Sequence, residues 1–403
     1  MTMQIPLMQD LDLQGLRTMI RLDLNVPMKD GVITSDARIR AAIPTIEMAL
    51  DKGARVILLS HLGRPDPDAL DGSFSLEPVA KHLGDLMGRS VNFCTDWLDG
   101  IPENEITLCE NTRYFKGEKS NDDSLANKIA SLCDVFVMDA FGASHRKHAS
   151  TYGAAKASSQ ACIGPLLNRE VEVLSQALVN PDKPLVAVIG GAKVSSKLGV
   201  IESLSKICDH IIVGGGIANT FLMASGFETG QSLSESDMVE SARQILDLKG
   251  INVPLPDGVI TAKEFSSDAE AEIKAIDQVA GDDLILDIGP ETAMIYKDVI
   301  DQCRTIIWNG PVGVFEFEQF SEGTRFLSAA IESNPGFKIV GGGDTVAVVE
   351  KYQITDSISY ISTGGGAFLE FVKNGTLPIL DFCLLYTSDA ADERSSVDLG
   401  GRR

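Results

Sequence analysis

Short apolar runs rich in β-branched side chains recur along the chain at 19–26, 55–60, 105–109, 134–138, 185–189, 210–213, 284–288, 305–308, 338–340 and 357–361. Between them the spacing becomes helical, as in 197–207, where Leu198, Ile201 and Leu204 form one stripe that continues to Cys208. Nearly unbroken apolar strands leave no face for water, so strands alternating with helices predict an α/β protein. Its parallel sheets are covered by helices on both faces. Residues 166–180 (LLNREVEVLSQALVN) read as an amphipathic helix stopped at Asn180-Pro181, and Asp182-Lys183-Pro184 then leads into a fresh strand. This places a lobe boundary near residue 172.

Strand after strand ends in small or polar residues: DLNVP, SHLGRP, ENTRYFKGE, DAFGASHR, GGAKVSSK, GGGIANT, NGPVGVFE, GGGDT and STGGG. In open parallel sheets ligands bind beyond the carboxyl ends of the strands, so these loops are expected to line one or two clefts. Three glycine triplets, Gly214–Gly216, Gly341–Gly343 and Gly364–Gly366, each follow a strand and precede a helical pattern. Such backbone can approach a phosphate closely, and the helix start offers unpaired N–H groups; a single triplet would as readily be a tight turn. No GxxxxGK[ST] loop exists, and Asn219, Val346 and Leu369 stand where GxGxxG would need glycine. Dehydrogenase chemistry loses most of its support.

Lys193 and Lys197 lie four residues apart, on one face if a helix begins there; a polyphosphate would suit them, and so would plain solvent. Asp344 and Thr345 sit at a helix start, either as ordinary caps or with the carboxylate on Mg²⁺. In the first lobe Asp23, Asn25, Arg38, His61, Arg64, Arg113, Arg146 and His148 fall in or beside strand-end loops. Any one of these could be a surface group; four arginines converging would describe a site for a small, strongly anionic molecule.

The charge distribution supports that division. Residues 1–172 hold 10 Arg, whereas 173–382 hold 3 Arg among 14 bases, so the fork-shaped ligand of phosphates and carboxylates is concentrated in the first lobe. The formal net charge of −22 repels polyanions, which argues against nucleic acid and anionic membranes as partners. Seven cysteines without CxxC or CxxH spacing give neither a zinc site nor a disulfide framework, and no stretch of 18 apolar residues occurs. A cytoplasmic protein is expected. No catalytic triad, HExxH helix or nucleophilic cysteine stands out.

Together RLDLNVP, SHLGRP, LCENTRYFKGE, VMDAFGASHRKHAS, GGAKVSSK, VGGGIANTF, WNGPVGVFE, GGGDT and ISTGGGAFLE resemble phosphoglycerate kinase of bacterial type, over about residues 5–381. The resemblance implies two Rossmann-like lobes joined by a hinge helix: 1–172 for 3-phosphoglycerate or 1,3-bisphosphoglycerate, 173–370 for Mg-ADP or Mg-ATP, and 371–382 returning to the first lobe. It also implies a monomer. The triose-phosphate residues carry over onto Asp23, Asn25, Arg38, His61, Leu62, Gly63, Arg64, Arg113 and Arg146. The nucleotide residues fall on Gly191, Lys197, Gly214, Gly215, Asn309, Pro311, Glu316, Gly342, Gly343, Asp344 and Thr345, with Asp344 near the metal. Arg38, Lys193, Gly365 and Gly366 resemble the groups around the transferred phosphoryl.

The implied acceptor is a carboxylate, ionised at pH 7, so no general base is required. A two-lobed protein that binds a nucleotide or anion without transfer, or a kinase for another carboxylate, are the rivals; retention of Arg38, Lys193, Lys197 and Asp344 argues against the first. Ala143-Ser144 stands where many relatives have Thr-Ala. Residues 383–403, CLLYTSDAADERSSVDLGGRR, show no strand or helix pattern and resemble a translated sequencing adapter, so they are expected to be a non-native tail in place of the family's last helix.

Overall fold

In a computed structural model, residues 5–382 are described apart from Asp30 and Thr363. The tail at 383–403 lies outside the described residues. The chain divides into two compact units: one runs up to Glu172 and resumes at Thr376, and the other is Val173–Gly375.

The first unit contains β1 (Arg17–Leu22), β2 (Met28–Lys29), β3 (Val32–Ile33), α1 (Ala37–Asp51), β4 (Arg55–Leu59), α2 (Glu77–Met87), β5 (Asn92–Cys94), β6 (Ile106–Cys109), α3 (Asp123–Ser131), β7 (Val135–Asp139), α4 (Ala154–Ala157) and β8 (Ala161–Ile163). Six of the strands form one sheet in the order β5-β6-β4-β1-β7-β8, every pair parallel. The central strands are buried on both faces, as their apolar runs require; Ile20, Leu22, Val56, Leu58, Val135 and Val137 share one core with Ile39 and Ile46 of α1. β2 and β3 pair as a small antiparallel hairpin.

Helix α5 (Pro165–Leu178) crosses the boundary between the units. Proline at its first position has no N–H to leave unpaired. The Asp139 carboxylate, at the end of β7, accepts from the N–H of Leu167 at 2.8 Å and so caps this helix.

The second unit contains β9 (Leu185–Ile189), α6 (Leu198–Leu204), β10 (His210–Val213), α7 (Gly215–Ala224), α8 (Val239–Leu246), β11 (Gly258–Ala262), β12 (Glu272–Ala275), β13 (Leu284–Ile288), α9 (Pro290–Gln302), β14 (Thr305–Asn309), α10 (Glu322–Ser333), β15 (Phe337–Gly341), α11 (Gly343–Lys351), β16 (Tyr360–Ser362) and α12 (Gly365–Asn374). A second parallel sheet runs β10-β9-β14-β15-β16. Its buried strands pack with α9, α10 and α11 around Trp308, Tyr296, Leu327 and Val348.

Three expectations change. The run at 284–288 is β13, which belongs to a separate antiparallel sheet, β12-β11-β13, and not to a parallel one. Lys193 and Lys197 do not share a helix face, because α6 begins only at Leu198 and both lysines lie in the loop before it. The second unit continues past 370 to Gly375, because α12 runs to Asn374.

Candidate active site

In the first unit the loops after the neighbouring strands β6, β4, β1 and β7 deliver the charged residues to one end of the sheet. Arg38, in the first turn of α1, donates from Nη1 to Asn25 O at 2.7 Å and to Asp23 Oδ1 at 3.3 Å. The Asn25 amide oxygen accepts from Gly63 N at 2.8 Å. Asn111 grips Leu62 from both sides, its Oδ1 accepting from Leu62 N at 3.2 Å and its Nδ2 donating to Leu62 O at 2.8 Å. Gly63 has φ +59°, and a Cβ there would lie 2.1 Å from the Phe74 ring, so only glycine allows this turn.

Arg113 is buried and donates to Gly63 O, while its Nε has no hydrogen-bond partner. Burial and the nearby charges of Arg146 and Arg21 pull its pKa down to about 10. His61 is held well below its ordinary value by burial and then by Arg21, Arg113, Arg146 and Arg38. His148 is lowered to about 4, again by burial first and then by Arg146, Arg113 and Arg21. Arg21, Arg113 and Arg146 thus lie close enough to disfavour the charged forms of His61 and His148, and an anion placed among them would offset that repulsion. Arg64 is exposed and acts on Arg113 from the rim.

Arg21 was not expected. It lies inside β1, fully buried, donating to Ser150 Oγ at 3.2 Å and lying 3.1 Å from His61 Nδ1. Ser150 in turn donates from Oγ and from N to the two oxygens of buried Glu118, at 2.5 and 2.9 Å. The signal in the sequence was a charged residue at a position that the strand pattern assigns to the core.

In the second unit the loops after β9, β10, β14 and β15 meet. Gly191, Gly215, Pro311, Glu316 and Asp344 line a cavity of about 720 Å³, whose apolar wall includes Leu286, Val314, Phe265 and Phe317. The two phenylalanine rings are tilted against each other with centroids 5.1 Å apart. A flat heteroaromatic ring suits such a wall. Phe265 and Phe317 were not anticipated, since both lie in loops without pattern.

Lys197 donates to the carbonyls of Gly190 at 2.5 Å and Asn309 at 3.1 Å, and burial lowers its pKa to about 8 against a smaller opposing pull from Asp344. Gly214, Gly342 and Gly364 sit at the N-caps of α7, α11 and α12, and Gly365 and Gly366 open α12. Gly342 has φ +95°, where a Cβ would lie 2.7 Å from Asn309 Nδ2. Gly343 and Asp344 form the first turn of α11. The Thr345 hydroxyl accepts from Gly310 N at 2.7 Å and donates to Gly341 O at 2.9 Å, clipping two loops together. Asn309 donates to Gly341 O at 2.5 Å, and its buried Oδ1 is left without a partner.

Among the described residues no group of three or more His, Cys, Asp or Glu could hold a metal alone. Asp344 on the cavity wall fits Mg²⁺ brought in by a polyphosphate, because that ion needs one or two protein carboxylates when phosphates and water supply the rest. No described helix is long and apolar enough to cross a membrane.

The sequence profile described as phosphoglycerate kinase matches residues 8–375. A phosphoglycerate kinase of Nitratidesulfovibrio vulgaris (strain DSM 19637 / Miyazaki F) is 53% identical over 376 residues, 92% of this chain and 96% of that protein. The structure of phosphoglycerate kinase from Coxiella burnetii superposes with a TM-score of 0.90 at 49% identity, covering 95% of this chain and all of the other. That from Pyrococcus horikoshii OT3 gives 0.77 at 31% identity, over 95% and 99%. This chain belongs to the phosphoglycerate kinase family, a kinase of glycolysis by its sequence and by its fold.

Proposed function

We propose that the chain transfers a phosphoryl group reversibly between 1,3-bisphosphoglycerate and MgADP, giving 3-phosphoglycerate and MgATP, with the acid bound by the first unit and the nucleotide by the second. The observation that carries this division is the set of basic groups, His61, Arg113 and His148, that are buried in the first unit next to further arginines, against an apolar cavity in the second with Gly191, Gly215 and Asp344 on its wall and Lys197 in the adjoining loop. Asp23, Asn25, Arg38, His61, Leu62, Gly63, Arg64, Arg113 and Arg146 hold the triose phosphate. Gly191, Lys197, Gly214, Gly215, Asn309, Pro311, Glu316 and Gly342–Thr345 hold the nucleotide, with the base against Phe265 and Phe317.

Asp344 is the protein ligand for Mg²⁺, and bound Mg²⁺ offsets phosphate charge. The attacking carboxylate is already ionised, so the chain has to supply alignment and positive charge and not a base. Arg38, Lys193 and the N–H groups at Gly365 and Gly366 suit the charge that spreads over the equatorial oxygens of a loose phosphoryl transition state. Reacting atoms must come within about 3–3.5 Å in line, which requires closure of the two units before transfer. Flexing is expected near the helix at 166–180 and at Ser362-Thr363, of which Thr363 lies outside the described residues. The enzyme works as a cytoplasmic monomer, with neither nucleic acid nor membrane as a partner.

Calorimetry on the Asp344→Asn variant tests the division. MgADP affinity falls and 3-phosphoglycerate affinity stays; loss of the acid with retention of the nucleotide would reverse the assignment.

A further inference from the structure

The loop between β9 and α6 carries Lys193 and Lys197, and only the second is fixed by its own hydrogen bonds, to Gly190 O and Asn309 O. Lys193 is exposed on a stretch without helical bonding. Between the two lysines, Ser195 donates twice to one carboxylate: its N–H to Glu235 Oε2 at 2.7 Å and its hydroxyl to Glu235 Oε1 at 2.6 Å. Glu235 is itself anchored, since its N–H donates to Thr220 Oγ1 at 3.0 Å and that hydroxyl donates to Gly216 O at 3.0 Å. Thr220 and Gly216 belong to α7, the helix whose N-terminus carries the first glycine triplet. The same helix start holds the loop's other end, through Ile217 N to Gly191 O at 3.2 Å.

The carboxylate of Glu235 is also close enough to attract the Lys193 ammonium. Its own pKa is lowered first by the Ser195 side-chain bond and then by the Ser195 N–H, with Lys193 a smaller contributor. The loop thus hangs from α7 at two points, Gly191 and Ser195, and Lys193 lies between them.

We infer that Glu235 is a positioning residue for Lys193: by holding Ser195 through both donors it fixes where the Lys193 ammonium is presented relative to the glycine loop of α7. The inference rests on the proposed place of Lys193 beside the transferred phosphoryl. A lysine on a free loop samples many positions, and a misplacement of about 1 Å at the reacting centre can cost on the order of 100-fold in rate. Glu235 does not touch substrate, and its effect passes through Lys193.

A double-mutant cycle on the full chain tests this, with kcat and both KM values measured in the coupled assay and Tm as a folding control. Lys193→Ala should lower kcat strongly. Glu235→Ala should lower kcat about tenfold with KM for 3-phosphoglycerate unchanged, and Glu235→Gln, which keeps one acceptor oxygen in the same shape, should fall between it and the parent. In the Lys193→Ala background, Glu235→Ala should cost nothing further. If Lys193→Ala loses activity but Glu235→Ala and Glu235→Gln do not, the positioning role is wrong and the role of Lys193 stands. If the two losses simply multiply, Glu235 acts on something other than Lys193. A kcat that rises on removing Glu235 would mean that its carboxylate competes with the ligand for the loop's donors, and this too overturns the inference. A Lys193→Ala variant with full activity removes the premise, and the inference with it.

Discussion

Nη2 of Arg21 lies 3.1 Å from Nδ1 of His61, and both side chains are buried. A guanidinium can only donate, so Nδ1 must be the accepting nitrogen, and the proton of the neutral ring sits on Nε2. Burial, with Arg113, Arg146 and Arg38 also acting on it, disfavours the charged ring and holds its pKa well below the ordinary value. The NMR shifts of the His61 ring should therefore be flat between pH 5 and 8; a midpoint near 6.5 would contradict the arrangement. The unfolded chain takes up this proton and the folded one does not, so His61 contributes a loss of stability as pH falls below about 6.5.

Arg38 commits one nitrogen to Asp23 and Asn25, which orients its guanidinium plane. An ammonium on a flexible stem keeps the charge and loses that orientation. Arg38→Lys should cost about 3 kcal/mol of transition-state stabilisation, a fall in kcat/KM on the order of 100-fold, with little change in Tm. Near-normal turnover would remove Arg38 from the phosphoryl site.

Lys197 should make nucleotide affinity depend on pH. Its pKa is lowered to about 8, so as pH rises through 8 the unliganded protein loses the ammonium that would meet a phosphate. The Kd for MgADP should rise between pH 7.5 and 9.5 in the parent and stay level in Lys197→Arg, whose side chain does not deprotonate there. Parallel profiles for the two proteins would show that Lys197 does not contact the nucleotide.

The Thr45 hydroxyl donates to Asp139 Oδ2 at 2.5 Å while Leu167 N donates to Oδ1, so one buried carboxyl joins α1 to the start of α5. Burial raises its pKa to about 6, against the opposing pull of these hydrogen bonds. Between pH 6 and 4 the folded protein holds a proton that the unfolded chain releases, so this group adds stability as pH falls. Asp139→Asn cannot titrate. The difference in stability, parent minus variant, should therefore grow as pH drops from 7 to 4, with a limiting slope of about 1.4 kcal/mol per pH unit. Constant Tm differences across that range would mean Asp139 is not shifted.

The parallel sheets were legible because burial on both faces writes itself as unbroken apolar runs, as in Leu185–Ile189, where all five residues are buried. β13 carries a similar run, but its antiparallel setting could not be read, since β12 (EIKA) is largely exposed and polar and so gave no strand signal. The strands β5 and β8 have three residues each, too few for any periodicity. At the site, loops flagged by glycine and arginine were readable as motifs. Arg21 was concealed inside a strand, and Phe265 and Phe317 reach the cavity from loops whose path only tertiary packing defines. The separation of Lys193 from the helix was equally hidden: Ser195, in the loop before α6, is bonded to Glu235, 40 residues away in sequence.

The chain leaves the first unit at Glu172 and re-enters it at Thr376, where Leu377, Ile379 and Leu380 are buried. On the ribosome, the second unit is therefore complete in sequence while the first still lacks its closing segment. The unit encoded later can be completed earlier, and the earlier one must wait for the segment that carries Leu377, Ile379 and Leu380 until about 200 further residues have been made. Synthesis order and order of completion are thus inverted, and a pause in translation before residue 376 would leave a second unit complete in sequence tethered to a first unit that is not.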